Sequence, residues 1–347
     1  MKLIYIGNKL SKHGKTPTSV ETLGAQLEEY FEVISASDKL NLIARIFDAA
    51  STIFKNKKAN YCIIDTYSTK NFYYSLLTSF CCRLIRLKYI PILHGGSLPS
   101  RLDKSPFLSK ILFNYSYINV SPSGYLEHEF RKRGYENVML IPNNISISSY
   151  IFTLRNEIKP RLLWVRAFDK IYNCEMAVRV LKSLKTTYPN AKLCMVGPDK
   201  DGSFKKVIFE AQKAGLTISE DIANKQADLL LPGKLSKPDW HKISQDYDIF
   251  INTTNFDNTP VSVIEAMALG LPVVSTNVGG MPYLINDGTD GILVEKNNAD
   301  EMSAKISDLI EKRIDTQSIT KQARAKIEQF DWEVVKQKWI EILKTRL

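Results

Sequence analysis

Two carboxylates stand eight residues apart in the run Phe256-Asp257-Asn258-Thr259-Pro260-Val261-Ser262-Val263-Ile264-Glu265. The pattern predicts a strand over Ile249–Asn252, a polar loop, and a helix from Pro260 to Leu269. Proline suits the first turn of a helix, where an N–H has no intrahelical acceptor anyway. The Val261 and Ser262 amides are then free donors at the positive end of the helix, fit to face an anion. Glu265 lies about one and a half turns in, among Val, Ile, Ala, Met and Leu. A carboxylate in such company is paired or faces a ligand. Asp257 precedes the helix, so both carboxylates can face one pocket. An exposed Glu265 with Asp257 as a loop cap fits these residues as well.

Cations form a second cluster in Leu163-Trp164-Val165-Arg166-Ala167-Phe168-Asp169-Lys170. Arg166 and Lys170 follow a predicted strand and could clamp a diphosphate, the first by its planar fork and the second as a point charge. Two solvated loop cations are the plainer reading. His94-Gly95-Gly96 follows another predicted strand, and glycines let a backbone approach a ligand closely. A lone histidine there is either structural or ligand-facing. Gly7-Asn8-Lys9 and Lys12-His13-Gly14-Lys15 form the loop after the first strand. They lack the Gly-x-Gly-x-x-Gly spacing of a dinucleotide site. Pro232-Gly233-Lys234-Leu235 closes one more strand.

The elements that must hold these groups alternate. Lys2–Ile6, Tyr61–Ile64, Tyr89–Leu93, Ser116–Val120 and Val138–Ile141 read as buried strands, with helices over Ser19–Tyr30 and Asn71–Leu87. Pro142 to Pro160 is aperiodic and reads as an interdomain linker. A second alternation has strands Leu162–Val165, Lys192–Val196, Asp228–Leu231, Ile249–Asn252 and Pro272–Thr276. Its helices span Asn173–Tyr188, Ser203–Ala214, Pro238–Asp246 and Pro260–Leu269. Strand–helix alternation builds a parallel sheet covered by helices, with ligands at the carboxyl ends of its strands. Two α/β domains are expected, 1–150 and 161–331. A terminal helix, about 332–347, carries Trp332, Val335, Trp339, Ile342 and Leu343 at helical spacing and is expected to pack back on the first domain.

A length of 347 residues suits two such domains. The net charge of +10 is uneven: residues 1–150 hold 19 basic and 11 acidic residues, the remainder 28 and 26. A basic first half suggests an anionic partner there, whether membrane phospholipid, phosphorylated lipid or nucleic acid. It serves solubility equally. Five scattered cysteines without ligand spacing fit free thiols in a reducing cytoplasm. The apolar start is too short for a signal peptide. Arg83, Arg86 and Lys88 interrupt the most apolar stretch, Phe72 to Leu93, so no spanning helix is expected.

The run from Asn255 through Glu265, then Ala266-Met267-Ala268, Gly270-Leu271-Pro272-Val273-Val274 and Gly279-Gly280, resembles the signature of glycosyltransferase family 4. The resemblance is sharp from about Arg161 to Val294. It implies a GT-B fold, two Rossmann-like domains facing across a cleft that close on the donor. It also implies a retaining, hexosyltransferase-type enzyme that uses a nucleotide-sugar as substrate, with no metal and no cofactor. Carried over, Glu265 binds the ribose and Asp257 contacts the donor sugar, where most members carry Glu. Asn258, Thr259, Pro260, Val261 and Ser262 line the donor site. Arg166 and Lys170 bind the diphosphate and stabilise the leaving group, four residues apart where many members show five.

Gly233, Lys234 and Leu235 resemble the base-binding loop, while Gly7 touches phosphate or acceptor and His94 lies near the donor sugar. The acceptor is then a glycan or a lipid diphosphate in bacterial surface polysaccharide synthesis, for instance lipopolysaccharide. The enzyme would be cytoplasmic, peripheral at an anionic membrane surface, and without a nucleic-acid partner. Against this stand a non-catalytic carbohydrate-binding or scaffolding relative, which would release no nucleotide diphosphate, and a Rossmann oxidoreductase, which would bind NAD or NADP. Donor sugar, base, acceptor, linkage and oligomeric state are not written in these motifs.

Overall fold

The computed structural model describes residues 1–14 and 17–344. Lys15 of the first loop, and residues 345–347 of the stretch expected to form a terminal helix, lie outside the described residues. The chain divides into two compact units, residues 1–143 with the segment from Lys338, and residues 144–337.

In the first unit the described strands are β1 (Lys2–Ile6), β2 (Glu32–Ala36), β3 (Tyr61–Tyr67), β4 (Lys88–His94), β5 (Asn119–Ser121) and β6 (Val138–Leu140). They form one sheet in the order β2-β1-β3-β4-β5-β6, with parallel pairing throughout. Ile4, Ile6, Cys62, Ile64 and Leu93 turn into a core closed by Phe72, Phe113 and Phe130. The edge strand β2 escapes the pattern because its Glu-Val-Ile-Ser-Ala run is half-exposed. The predicted strand at Ser116 begins three residues later, at Asn119. Ser116 instead donates to the Phe113 carbonyl at 2.7 Å, a local bond that competes with the ladder.

The second sheet is built of β7 (Arg161–Val165), β8 (Lys192–Val196), β9 (Ile218–Ser219), β10 (Leu229–Gly233), β11 (Ile249–Asn252), β12 (Val273–Thr276) and β13 (Ile292–Val294). The order is β13-β12-β11-β7-β8-β10-β9, again parallel. Successive residues of a strand point to opposite faces. Leu162 and Trp164 of β7, with Leu193 and Met195 of β8, enter one core. Leu163, Cys194 and Val196 enter the other. A sheet buried on both faces needs such uninterrupted apolar strands.

The stretch Pro142–Pro160 differs from its reading as a linker. From Asn144 it belongs to the second unit. The Arg155 guanidinium donates to the carbonyls of Tyr247 (2.8 Å), Ser244 (2.9 Å) and Gly270 (2.9 Å). These loop carbonyls have no sheet partner, and one arginine carries enough donors to satisfy all three. The chain here is aperiodic because it is tied to distant carbonyls, and its one regular element is a single 3-10 turn at Ile147–Ser149. The terminal helix Trp332–Lys344 is divided between the units at Lys338. Val335, Trp339 and Leu343 on it are buried. Among the described residues, no helix is long and apolar enough to cross a membrane.

Candidate functional site

The second sheet steps from β7 to β8 on one side and, later, to β11 on the other. The boundary between the paired strands β7 and β11 is therefore a topological switch point, and in open sheets of this kind ligands bind at the carboxyl ends of such strands. The two loops beside it are those that sequence singled out, Arg166–Lys170 and Asn255–Pro260. Hydrogen bonds join them. Thr253 donates to the Tyr172 carbonyl (2.9 Å), the Asn255 amide to Ile171 (2.7 Å), and the Asn255 side chain to Lys170 (3.2 Å). Trp164, buried in β7, donates through its indole to Thr253 at 3.1 Å.

Arg166 and Asp257 meet across this seam as an ion pair, both side chains largely buried. The Arg166 guanidinium also lies 4.4 Å from the centre of the Tyr172 ring. Burial pushes its pKa down, and Tyr172 opposes the shift. Its Nε is buried with no hydrogen-bond partner. Two glycines hold the loops to the sheet. A Cβ on Gly197, after β8, would come within 1.7 Å of the Arg166 carbonyl. A Cβ on Gly280, after β12, would come within 1.7 Å of the Asn258 carbonyl, and the Gly280 amide donates to Asp257 O at 2.8 Å.

The helix that follows is Val261–Ala268, so it begins one position later than predicted, with Pro260 as its N-cap instead of its first residue. The Val263 amide closes onto the Pro260 carbonyl at 3.1 Å. Val261 is exposed, whereas the Ser262 hydroxyl is buried and has no hydrogen-bond partner. At the far end Arg324 donates to the Ala268 carbonyl at 2.6 Å, a cation where the helix dipole is negative.

Glu265 is buried and paired. Tyr150 donates to its Oε1 at 3.0 Å, and Lys237 Nζ lies 2.8 Å from the same oxygen. Burial, then the Glu265 charge, raises the Tyr150 pKa, so the phenol stays a donor. The His241 ring sits 4.8 Å from the Tyr150 ring. Burial lowers its pKa, against the pull of Glu265. An exposed Glu265 is thereby excluded, as is a loop-cap role alone for Asp257.

The remaining predicted residues are dispersed. The Lys170 side chain is exposed, and its amide binds Asp201 at 3.0 Å. Asn258 is buried and Thr259 half-buried beside the cap. Gly233 ends β10 and accepts from the Gly197 amide at 2.9 Å, which sets its loop beside the one that follows β8. Lys234 is exposed, and Leu235 packs on the second core.

His94 and Gly7 belong to the first unit. Its switch point lies between β1 and β3, and Gly7 follows β1, with its amide bound to Ala36 O at 2.7 Å. His94 ends β4, and its Nε2 lies 2.8 Å from Oδ1 of Asp65, which is buried in β3. Tyr5 donates to the same oxygen at 3.0 Å. Burial and the Asp65 charge raise the Tyr5 pKa and keep it protonated. Asp65 therefore fixes the ring nitrogen that His94 presents elsewhere. Asp65→Asn should redistribute the ring proton, visible as changed ¹⁵N shifts of the His94 nitrogens. Unchanged shifts would deny Asp65 that role.

Sequence reading missed Asp65, although a lone carboxylate closing the apolar run Tyr61–Ile64 was its signal. It also missed Tyr150, Lys237 and His241, which no spacing links to Glu265.

Residues 151–326 match the family model described as glycosyl transferases group 1. Sulfoquinovosyl transferase SQD2 of Arabidopsis thaliana is 26% identical over 164 residues, 46% of this chain and 29% of that protein. The matches span less than a third of the length of the curated relatives. The crystal structure of Anabaena Alr3699/HepE in complex with UDP and glucose superposes with a TM-score of 0.75 at 16% identity, over 99% of this chain and 100% of that one. The lipopolysaccharide outer core galactosyltransferase WaaB, in its apo form, gives 0.72 at 15% identity, over 100% of both chains. These likenesses show the fold: two parallel α/β units of the GT-B type.

Proposed function

The chain belongs to the glycosyl transferases group 1 family, and from that premise we propose that it moves a sugar from a nucleotide-sugar to a glycan or lipid-linked acceptor. The observation that carries this reading is the buried Arg166–Asp257 pair at the switch point, beside the helix that bears Glu265. The second unit takes the donor. Glu265 accepts from the ribose hydroxyls, with Tyr150 and Lys237 holding its carboxylate in place. The Val261 and Ser262 amides, Arg166 and Lys170 take the diphosphate. Asp257 orients Arg166 and contacts the sugar.

Charge grows on the β-phosphate as the glycosidic bond breaks, and cations fixed beforehand lower that barrier. The reaction so read draws on no metal. On the resemblance of the run Asn255–Gly280 to the family 4 signature we assign the chain to family 4 and, with it, the transfer to the retaining class. HepE's complex with UDP makes UDP-sugars the first donors to try. WaaB's action on lipopolysaccharide favours a surface-polysaccharide acceptor, met at the cytoplasmic face of a membrane.

A thermal-shift panel of UDP-, GDP-, ADP- and CMP-sugars tests the donor site. A ligand at a hundred times its Kd adds about 2.7 kcal/mol. Glu265→Gln should weaken the successful nucleotide by about tenfold to a hundredfold, the worth of hydrogen bonds to a charged group. If no nucleotide-sugar stabilises the protein, the donor reading fails. A product with the opposite anomeric configuration to the donor, read by NMR, would remove the retaining assignment alone.

A further inference from the structure

Helices Leu42–Lys55, Asn71–Leu84 and Pro106–Phe113 lie between β2 and β3, β3 and β4, and β4 and β5. Those crossovers all step the same way along the sheet. Right-handed connections therefore put the three helices on one face, and they pack side by side there. Their inner sides supply Ile53, Phe72 and Phe113 to the core.

Their outer sides are apolar too. Ile43, Phe47 and Phe54 are exposed on the first helix, Tyr73, Leu77, Phe80 and Leu84 on the second, and Phe107 on the third. Phe47 is 71% exposed and Phe107 73%. At about 100° per residue, positions 43, 47 and 54 fall within one narrow stripe, and 73, 77, 80 and 84 repeat that spacing. Single exposed apolar residues are ordinary, but a contiguous patch marks a binding surface.

The charges around the patch are mostly basic. Asn71–Leu84 contains no Asp or Glu. Lys55, Lys57 and Lys58 are exposed where the first helix ends, and Arg83, Arg86 and Lys88 where the second ends. Both ends lie at the sheet edge where β3 and β4 begin, so these cations rim the apolar stripes. Lys110 adds another on the third helix. The Arg83 guanidinium lies 4.1 Å from the centre of the Tyr115 ring, itself exposed. Asp48 is the one acidic residue within the three helices, and it is half-buried.

We propose that this three-helix face docks on an anionic lipid bilayer, its Phe, Leu, Ile and Tyr side chains among the acyl chains and its lysines and arginines on the lipid phosphates. Apolar stripes beside a basic rim match the two layers of such a surface. A second copy of the same face would set rim against rim, and a nucleic acid would leave the stripes in water. The proposal deepens the membrane-proximal acceptor reading and rests on it for its purpose, but docking is measured without turnover.

The whole chain is sedimented with vesicles of phosphatidylcholine and of a phosphatidylcholine–phosphatidylglycerol mixture. It should follow the mixed vesicles, leave the neutral ones, and come off as salt screens the attraction. Phe47→Ser with Phe80→Ser should cut binding by roughly tenfold or more. Lys57→Glu with Lys58→Glu should cut it by at least about fivefold for each charge. All four positions are exposed, so these variants should keep the wild-type thermal shift with nucleotide-sugar. Failure to bind mixed vesicles, wild-type binding by both variants, or dissociation of a dimer by the Phe variant would each overturn the proposal. Failure of the donor reading would show separately, as an absent nucleotide shift in every form of the protein.

Discussion

Arg166→Ala should lower kcat by about 10²-fold or more and change the donor KM much less. Arg166 is fixed before any ligand arrives. Its ring neighbour is Tyr172, its partner is Asp257, and Gly197 bounds its backbone. A cation held in this way costs no reorganisation as charge develops on the leaving phosphate. Lysine would not replace it, because an ammonium can neither stack on Tyr172 nor span phosphate and carboxylate with one planar fork.

The alanine variant has a second effect that must be separated from the first. It leaves Asp257 largely buried without its partner, which by itself disturbs the loop. Asp257→Asn and the double variant close a double-mutant cycle. If the double variant recovers the rate lost by Arg166→Ala, the arginine acts chiefly by holding Asp257. If the loss persists, its charge acts on the substrate. Wild-type kcat in Arg166→Ala would sink the proposed chemistry outright. Lys170→Ala should follow in the same direction, with a chemical effect only, since its exposed side chain holds no loop in place.

What could be read in advance was local. The central strands β1, β3, β4, β7, β8, β10, β11 and β12 announced themselves as apolar runs because both sides of each sheet are covered. The strands that escaped, β2, β9 and β13, are half-exposed or only two or three residues long, too short or too polar for a period to register. The Asp257–Glu265 spacing was legible because loop and helix are continuous in the chain. What holds Glu265 was not. Tyr150 lies 115 residues away along the chain, in a stretch whose disorder of pattern suggested a linker. Arg324 caps the same helix from 56 residues beyond it. Such partners are chosen by packing, and a hydroxyl or guanidinium carries no mark of the distant oxygen that it will meet. Asp65 is the intermediate case, with a signal present in the strand and a meaning supplied only by Tyr5 and His94.

Gly280→Ala should abolish measurable nucleotide-sugar binding while leaving both sheets folded. Gly280 itself has φ −84° and ψ −4°, a conformation that any residue adopts, so backbone strain is not the obstacle. The obstacle is space. The added methyl carbon would sit 1.7 Å from the Asn258 carbonyl oxygen, and that oxygen belongs to backbone, which cannot swing aside as a side-chain tip can. The loop Asp257–Asn258 must move, breaking the Gly280 amide bond to Asp257 O and with it the register of Asp257 against Arg166. Overpacking of this kind costs about 1–3 kcal/mol of stability, and here the displacement falls on the donor loop itself.

Gly288→Ala is the matched comparison. Gly288 has φ +71° with nothing within 4 Å of its would-be Cβ, so alanine there brings strain of about 1–2 kcal/mol without a clash. The two variants should lose comparable stability in a denaturant titration, yet only Gly280→Ala should lose the thermal shift with nucleotide-sugar. Equal nucleotide binding by both would mean that the Asp257 loop tolerates displacement. The close approach of the loops after β11 and β12 would then not be what selects glycine at position 280.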